Sequence, residues 1–169
     1  SSDLYYFRTV DGFGSKDEMA KSQHPFLAEA GVKNYDWYPM FRGRLVAING
    51  QPTVPENYTD DRAKRLVDRE FNISHSAKNP QHNIIVGGQW TEEEAGAISV
   101  EEGIAKTLNL KLGDSLRFDI GGVQTEAKIT SLRKVDWGSM RANFFVMFPV
   151  STLKDVPSTY MGAFKAPET

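Results

Sequence analysis

Residues 115–135 read SLRFDIGGVQTEAKITSLRKV and contain the clearest secondary-structure signal in the chain. Apolar and polar residues alternate in Ser115–Ile120, which predicts a half-buried strand. Gly121-Gly122 is a two-residue turn of the kind that joins antiparallel strands. In that register six side chains share one face, in the pairs Ile120 with Val123, Phe118 with Thr125, and Leu116 with Ala127. The turn and the alternation therefore predict the same hairpin, whose second strand runs to about Val135.

A short helix is predicted directly before this hairpin. Ser99 and Glu102 have the spacing of a capping box, which marks a helix start. The helix should end before Gly113, and Phe118 of the hairpin should be buried against it. The residues that would share its apolar face are Val100, Ile104, Ala105 and Leu108.

More strands are predicted on both sides of this unit. Asn49-Gly50 is a strong hairpin signal and ends a long strand that begins at Trp37. Ser15 and Glu18 predict a helix that Pro25 would kink or divide into two short helices, ending at Gly31. A short helix or turn from Ala63 precedes a strand near Glu70–Ser74. The other predicted strands are Leu4–Val10, a short buried Ile84–Val86 that Gly87-Gly88 ends, a central Asn143–Phe148, and Thr159–Phe164.

Composition limits the class of protein. The chain has 169 residues, 40% of them hydrophobic and 25% charged, which is ordinary for one globular domain or two small ones. With 20 basic and 22 acidic residues the net charge is −2, so we expect no nucleic-acid partner. The absence of cysteine excludes disulfides and thiolate chemistry, and favours a bacterial or cytosolic origin without excluding the periplasm.

No motif predicts catalysis, a cofactor or a metal site. The three histidines, His24, His75 and His82, lack the spacing of a zinc site. The segment Gly12–Lys16 lies between a predicted strand and a predicted helix, where a phosphate-binding loop could lie, but it matches neither GxxxxGK[ST] nor GxGxxG, so a turn and a helix cap are favoured. Ser139 lacks the strand–turn–helix elbow of a serine hydrolase. A small hydrolase that uses Ser139 or an Asp/Glu pair is therefore the weakest alternative.

Four residues are candidate contacts for a substrate or partner. Arg42 and Arg44 would lie about 7 Å apart on one strand face with Met40, Val46 and Ile48, where they could hold a carboxylate or a lipid phosphate. They could equally pair with acids of the same domain. Trp137 and Arg141 flank a polar link after the hairpin. Trp137 could be an exposed recognition residue or a lid over the join between two subdomains.

Two stretches resemble the extracytoplasmic domain of FtsX-like ABC transporter permeases, the superfamily of MacB and the lipoprotein-releasing permeases. The first, Val100–Leu132, carries Glu102, Ala105, Leu108, Leu110, Gly113-Asp114, Leu116 and Phe118. The second resembles the YbbP-like subgroup and comprises Pro39-Met40, Arg42, Arg44, Leu45, Ile48-Asn49-Gly50, Arg133–Trp137, Asn143–Val146 and Phe148-Pro149.

The resemblance implies an α+β fold with two lobes of MacB/FtsX type. A mixed α/β lobe would contain residues 1–75 and 140–169, formed by both chain ends, and an inserted β-rich lobe with one helix would contain 84–138. The domain would lie in the periplasm, between transmembrane helices of a permease in the bacterial inner membrane. Its implied partners are those helices, a cytoplasmic ATP-binding subunit and a periplasmic protein or lipid-like cargo. A freestanding periplasmic binding or adaptor module is the alternative.

Overall fold

The computed structural model describes residues 5–11, 35–139, 141–153 and 159–165, with side chains described for 38–139 and 141–153. The chain divides into two compact units. Unit 1 comprises Ser1–Met40, Trp137–Asn143 and Ser158–Thr169. Unit 2 comprises Phe41–Asp136 and Phe144–Pro157. The described part of the chain is a mixed α/β structure in which sheet predominates, with two short α-helices.

Unit 1 pairs the two ends of the chain. Strand β10 (Thr159–Lys165) lies between β1 (Tyr5–Asp11) and the first half of β2 (Tyr35–Ile48), and both pairings are antiparallel. The strands predicted near both termini are therefore confirmed. The helix predicted from Ser15 lies outside the described residues.

Unit 2 contains the remaining elements. The second half of β2 ends at a turn in which Asn49 and Gly50 both have positive φ, as a two-residue hairpin turn requires. The strands after it are β3 (Gln51–Pro52), β4 (Glu70–His75), β5 (Asn83–Gly88), β6 (Ala97–Glu101), β7 (Ser115–Ile120), β8 (Val123–Val135) and β9 (Val146–Phe148). The helices are a 3₁₀ turn at Pro55–Asn57, α1 (Asp61–Val67) and α2 (Glu102–Leu108).

Six of these strands form a closed ring. The order is β2–β4–β9–β6–β8–β7 and back to β2, with parallel pairing only in β4–β9 and β6–β8. The ring closes at Gly43, which pairs with Phe71 of β4 on one edge and Ile120 of β7 on the other. A barrel of this kind has no free edge within the ring. Strand β5 lies outside the ring and pairs with the last residues of β8.

The core of unit 2 is a single apolar cluster made by the barrel strands and both helices. Phe71 lies edge-on to Phe118, with ring centroids 6.3 Å apart. A Cβ at Gly43 would lie 2.7 Å from Cδ1 of Ile73, so a larger residue there would require the Ile73 side chain to shift. The largest fully buried apolar side chains are Phe41, Phe71, Phe118, Phe144, Leu45, Ile73, Ile98, Ile104 and Leu116.

The predicted hairpin is confirmed in its register. Ile120 pairs with Val123, Phe118 with Thr125, and Leu116 with Ala127. Phe118 is 1% exposed and belongs to the same core cluster as Ile104 and Leu108. The strand from Glu70 and the central strand at Val146–Phe148 are confirmed as well.

Two details of the prediction are wrong. The cap of α2 is Glu101, whose Oε2 accepts the N–H of Ile104 at 2.7 Å, while Ser99 and Val100 lie in the buried strand β6. A capping-box spacing also occurs by chance, and here the strand continues to the residue before the helix. Strand β5 is not buried, because it lies outside the ring, and it runs on through Gly87 and Gly88.

The barrel contains strands from both of the lobes that the resemblance implies, and the lobe boundaries stay a prediction. β4 and β9, from the expected lobe of residues 1–75 and 140–169, belong to the same ring as β7 and β8 from the expected lobe of 84–138. The compact units divide the chain at other residues, beginning at Met40 and Phe41. Parallel pairings carry no turn signal, since the paired strands are far apart in sequence.

Candidate functional site

Arg42 and Arg44 lie on the exposed face of β2 in unit 2. The residues that alternate with them, Phe41, Gly43 and Leu45, are buried. The two arginines therefore share a face, as the alternation predicts. The strand turns this face to solvent because its other face supplies the core.

The two arginines are not equivalent. Arg44 lies between Glu70 of β4 and Asp119 of β7 in the strand register, and its Nη1 donates a hydrogen bond to the carbonyl of Asp68 at 3.2 Å. Asp68 is the C-cap residue of α1, where unpaired carbonyls attract a cation. Arg44 thus does structural work at a helix end, which favours the alternative that it pairs within its own domain.

Arg42 has a different environment. It lies opposite Asn72 of β4, and no hydrogen bond or ion pair joins its side chain to another residue in the described part of the chain. Its guanidinium retains five donors with no described acceptor. Of the pair, Arg42 is the cation available to an external anion.

Charges elsewhere on this exposed barrel face are engaged locally. Nη2 of Arg117 in β7 lies 3.2 Å from Oε2 of Glu126 in β8. Oδ1 of Asp119 accepts the N–H of Gly122 at 2.8 Å, at the turn of the hairpin. Contacts of this kind are worth about 0–1 kcal/mol at a surface, so they mark a solvated face rather than a built site.

Trp137 and Arg141 belong to unit 1, whereas Arg42 and Arg44 belong to unit 2. Trp137 is 49% exposed, and Arg141 is exposed. In the same segment, Nδ2 of Asn143 donates to Oγ of Ser139 at 3.3 Å. Among the described residues, no histidine or carboxylate is hydrogen-bonded to Ser139. The arrangement that a serine nucleophile needs is not present there.

Sequence reasoning missed the most unusual charged residue, Arg133. The polar link after the hairpin placed it with surface residues, but it is 0% exposed. Nε donates to Oγ of Ser99 at 2.9 Å and Nη1 to Oδ1 of Asn83 at 2.6 Å. Nη2 donates to the carbonyls of Phe144 at 2.9 Å, Phe145 at 3.2 Å and Ser99 at 3.4 Å. The alternation of β8 was the available signal, since Ile129, Ser131, Arg133 and Val135 are all buried.

Arg133 holds together segments that are distant in sequence. Its partners lie in β5, in β6 and at the point where the chain re-enters unit 2 at Phe144. Burial lowers the pKa of Arg133 to about 9, and the negative charge of Glu101 opposes that shift. The side chain is still cationic at neutral pH. Its hydrogen bonds therefore stabilise the structure, and its complete burial keeps the guanidinium away from any ligand at the surface.

His75 is half-buried in unit 2 and lies within hydrogen-bonding distance of a backbone carbonyl. Its Nδ1 lies 3.2 Å from the carbonyl of Val150, and its ring centroid lies 5.5 Å from that of Phe41. Burial lowers the pKa of His75, while the Val150 carbonyl and Glu93 oppose the shift. The residue is therefore neutral near pH 7, with a proton on Nδ1 if it donates to Val150.

Two of the motifs that carry the resemblance, Asn49-Gly50 and Gly113-Asp114, meet in one corner of unit 2. Nδ2 of Asn49 donates to Oδ1 of Asp114 at 3.1 Å, and Oδ1 of Asn49 accepts the N–H of Ser115 at 2.8 Å. The second carboxylate oxygen of Asp114 accepts the N–H of Lys111. The Asn49-Gly50 turn and the Gly113-Asp114 turn thus form one hydrogen-bonded corner.

The described residues contain neither a cluster of metal-ligating side chains nor a helix that could cross a membrane. No group of three or more histidines, aspartates and glutamates is placed to hold a metal ion. No helix in the described ranges has the length and apolarity needed to cross a bilayer.

One relative of this chain is named as an ABC transporter permease. Over 140 residues, 83% of the chain, it is 41% identical to the uncharacterised ABC transporter permease YbbP of Escherichia coli (strain K12). The chain resembles part of an ABC transporter permease. It spans 16% of that relative's length. No family model matches the chain.

A solved structure is also similar. It is a crystal structure of a domain of a candidate permease protein from Porphyromonas gingivalis, with a TM-score of 0.48 and 10% sequence identity. The match covers 98% of this chain and 74% of that one. The sequence match alone associates the chain with a permease.

Proposed function

We propose that this chain is the extracytoplasmic domain of an FtsX-like ABC transporter permease of the YbbP-like subgroup. The domain is non-catalytic and lies in the periplasm, and the permease lies in the bacterial inner membrane. It couples ATP hydrolysis by a cytoplasmic subunit to the handling of a lipid-like cargo or to a mechanical signal. The observation that carries the proposal is 41% identity to the permease YbbP over 83% of the chain. The two-lobed arrangement of MacB/FtsX type stays a prediction.

The pairing of the chain ends supports a mechanical role. β1 and β10 are joined by seven residue pairs, from Tyr5 with Lys165 to Asp11 with Thr159. If transmembrane helices precede β1 and follow β10, their movement would act on this one ladder. The barrel of unit 2 is closed and has a tightly packed core, so it would move as a rigid body rather than deform. A domain of that kind transmits displacement and needs no reactive side chain.

The cargo role is assigned to Arg42, with Trp137 and Arg141 as separate candidates in unit 1. A cation near an anionic headgroup contributes about 1 kcal/mol. Arg44 has the helix α1 carbonyl as its partner, so it contributes less to such a site.

Cysteine accessibility tests the location. This chain has no cysteine, so Val123→Cys at the exposed hairpin tip can serve as the reporter in a full permease whose other cysteines are replaced. We expect a membrane-impermeant maleimide to label it in cells with a permeabilised outer membrane. Ser131→Cys, at a position 1% exposed, is the matched control and should react only after denaturation. Labelling of Val123→Cys only after the inner membrane is lysed would refute a periplasmic location.

A freestanding adaptor module is the second candidate. It is favoured by the compact fold of the described residues but leaves the permease similarity unexplained. Flanking apolar segments of about 20 residues in the full protein would exclude it.

A further inference from the structure

Two residues of unit 2 hold three successive residues of the chain after β9, which we call the exit segment (residues 149–151). The N–H of Glu93 donates to the carbonyl of Pro149 at 2.7 Å, and Oε1 of Glu93 accepts the N–H of Ser151 at 2.9 Å. Between these bonds, Nδ1 of His75 lies 3.2 Å from the carbonyl of Val150. Each residue of the exit segment is therefore held, from the end of β4 and from the loop before β6.

Glu93 has an uncommon backbone conformation. Its φ is 62°, and the other non-glycine residues with positive φ in the described ranges are Asn49 and Asn109. Asparagine adopts this left-handed conformation more readily than glutamate does. A residue in such a conformation persists only when surrounding contacts fix it, and the two hydrogen bonds of Glu93 to the exit segment are contacts of that kind. Their loss would let the backbone of Glu93 relax, which favours opening.

The elements packed against His75 bring one charged side chain to it. Strand β2 contributes the ring of Phe41, with centroids 5.5 Å apart, and β9 contributes Phe148, the partner of His75 in the parallel register. The loop before β6 contributes Glu93, which is the charged group that acts on His75 among the described residues. The exit segment carries no charge, and the alternation of β2 turns Arg42 to the face opposite Phe41.

The proton affinity of His75 depends on whether the exit segment covers it. Burial lowers the pKa of His75 from 6.5, and the Val150 carbonyl and Glu93 oppose that shift only in part. When the exit segment is released, the ring meets water and its pKa returns towards 6.5. The open arrangement therefore binds a proton first as the pH falls below 6.5, so acid favours opening. Nδ1 can donate to Val150 in both protonation states, so desolvation of the charge drives the change.

We propose that His75 and Glu93 form a pH-sensitive clasp that releases the exit segment in mildly acidic solution. Above that range the clasp is closed, with His75 neutral and all three residues held. Below it, His75 takes up a proton from solvent, the exit segment leaves both residues, and the backbone of Glu93 relaxes. The exit segment leads from β9 towards β10, so opening frees the chain between these two strands. The inference concerns contacts within unit 2 and does not depend on the proposed permease function.

Hydrogen exchange of the 169-residue chain, with each amide corrected for its intrinsic rate, tests the clasp. The reporters are the amides of Glu93 and Ser151, which bond within the clasp. The reference is the amide of Ile129 in β8, which donates to the carbonyl of Asp114 at 2.8 Å. From about pH 7.5 to about pH 5, protection of the reporters should fall by about threefold or more, while that of Ile129 is unchanged. The ring-proton shifts of His75 should titrate over the same pH range.

Variants assign the effect to the two residues of the clasp. His75→Gln keeps a hydrogen-bond donor but cannot become charged, so the protection of Ser151 should be independent of pH in this range. His82→Gln is the matched control at the other histidine of unit 2, and it should behave as the parent does. Glu93→Ala should expose the Ser151 amide already at about pH 7.5, whereas Glu94→Ala, at the next residue, should not.

Three results would overturn the proposal. The reporters could stay equally protected from about pH 7.5 to about pH 5 in the parent. The pH dependence could persist unchanged in His75→Gln, which would assign it to another group. Protection of Ile129 could fall together with that of the reporters, which would show unfolding of the whole unit rather than local release. The first and third comparisons are made within the parent, so they do not require a variant to fold.

Discussion

Glu101 and Arg133 lie directly opposite each other in the parallel pair of β6 and β8, and both are buried. Glu101 caps helix α2, and its own N–H donates to the carbonyl of Phe145, which also accepts from Arg133. Glu101 thus binds the start of α2, and both Glu101 and Arg133 donate to the segment that leads into β9. A buried charge of this kind is stable only with its partners in place.

Replacing Arg133 should therefore be severe. Arg133→Met keeps much of the side-chain volume but leaves Glu101 buried without its cation, so we expect a loss of about 3–5 kcal/mol in the free energy of unfolding. Arg117→Met removes an arginine from an exposed ion pair on β7 and should cost about 0–1 kcal/mol. Urea unfolding of the two variants and the parent measures both. Equal, small losses would show that the Arg133 network does not stabilise the barrel.

The stability of the chain should depend on His75 in mildly acidic solution. Its pKa is lowered in the folded state from 6.5, so the unfolded chain takes up the proton first as the pH falls. The contribution of neutral His75 is present above pH 6.5 and is lost as the pH falls towards the lowered, folded-state pKa. Unfolding of the parent and of His75→Gln between about pH 5 and pH 7 tests this. The difference between them should change with pH in that range, and a constant difference would contradict the assignment.

At Asn49, the contributions of backbone conformation and of side-chain hydrogen bonds to stability can be measured separately. Asn49 has φ 50°, and its side chain bonds both Asp114 and Ser115. Asn49→Gly keeps the left-handed backbone and loses both hydrogen bonds, so it should lose about 1–2 kcal/mol. Asn49→Ala should lose up to about 1 kcal/mol more, because alanine resists positive φ. Thermal unfolding of the pair decides it, and equal losses would show that the backbone conformation contributes little.

Arg42 and Arg44 should differ in stability and in function. Arg44→Gln removes the cation at the C-terminus of α1 and should lower stability by less than about 1 kcal/mol. Arg42→Gln should leave stability unchanged, since no described residue pairs with it. In the full permease, Arg42→Gln should impair complementation more than Arg44→Gln. Normal complementation by Arg42→Gln and by a Trp137→Ala, Arg141→Ala variant would leave the domain a mechanical role alone.

The hairpin of β7 and β8 was predictable from the sequence because all of its information is local. A two-residue glycine turn and period-two alternation fix both the pairing and the register, and no distant contact is needed to decide them. The Asn49-Gly50 turn is local in the same way. The exposed face of Arg42 and Arg44 also follows from alternation alone.

The tertiary structure alone decided what those elements join. The parallel pairs β4–β9 and β6–β8 connect strands separated by long stretches of chain, so no turn announces them, and the ring they close was not predicted. The burial of Arg133, the exposure of β5 and the cap at Glu101 all depend on that ring. The sequence pattern of a strand does not show whether it lies inside the ring or beside it, because its neighbours in the folded chain determine which face is exposed to water.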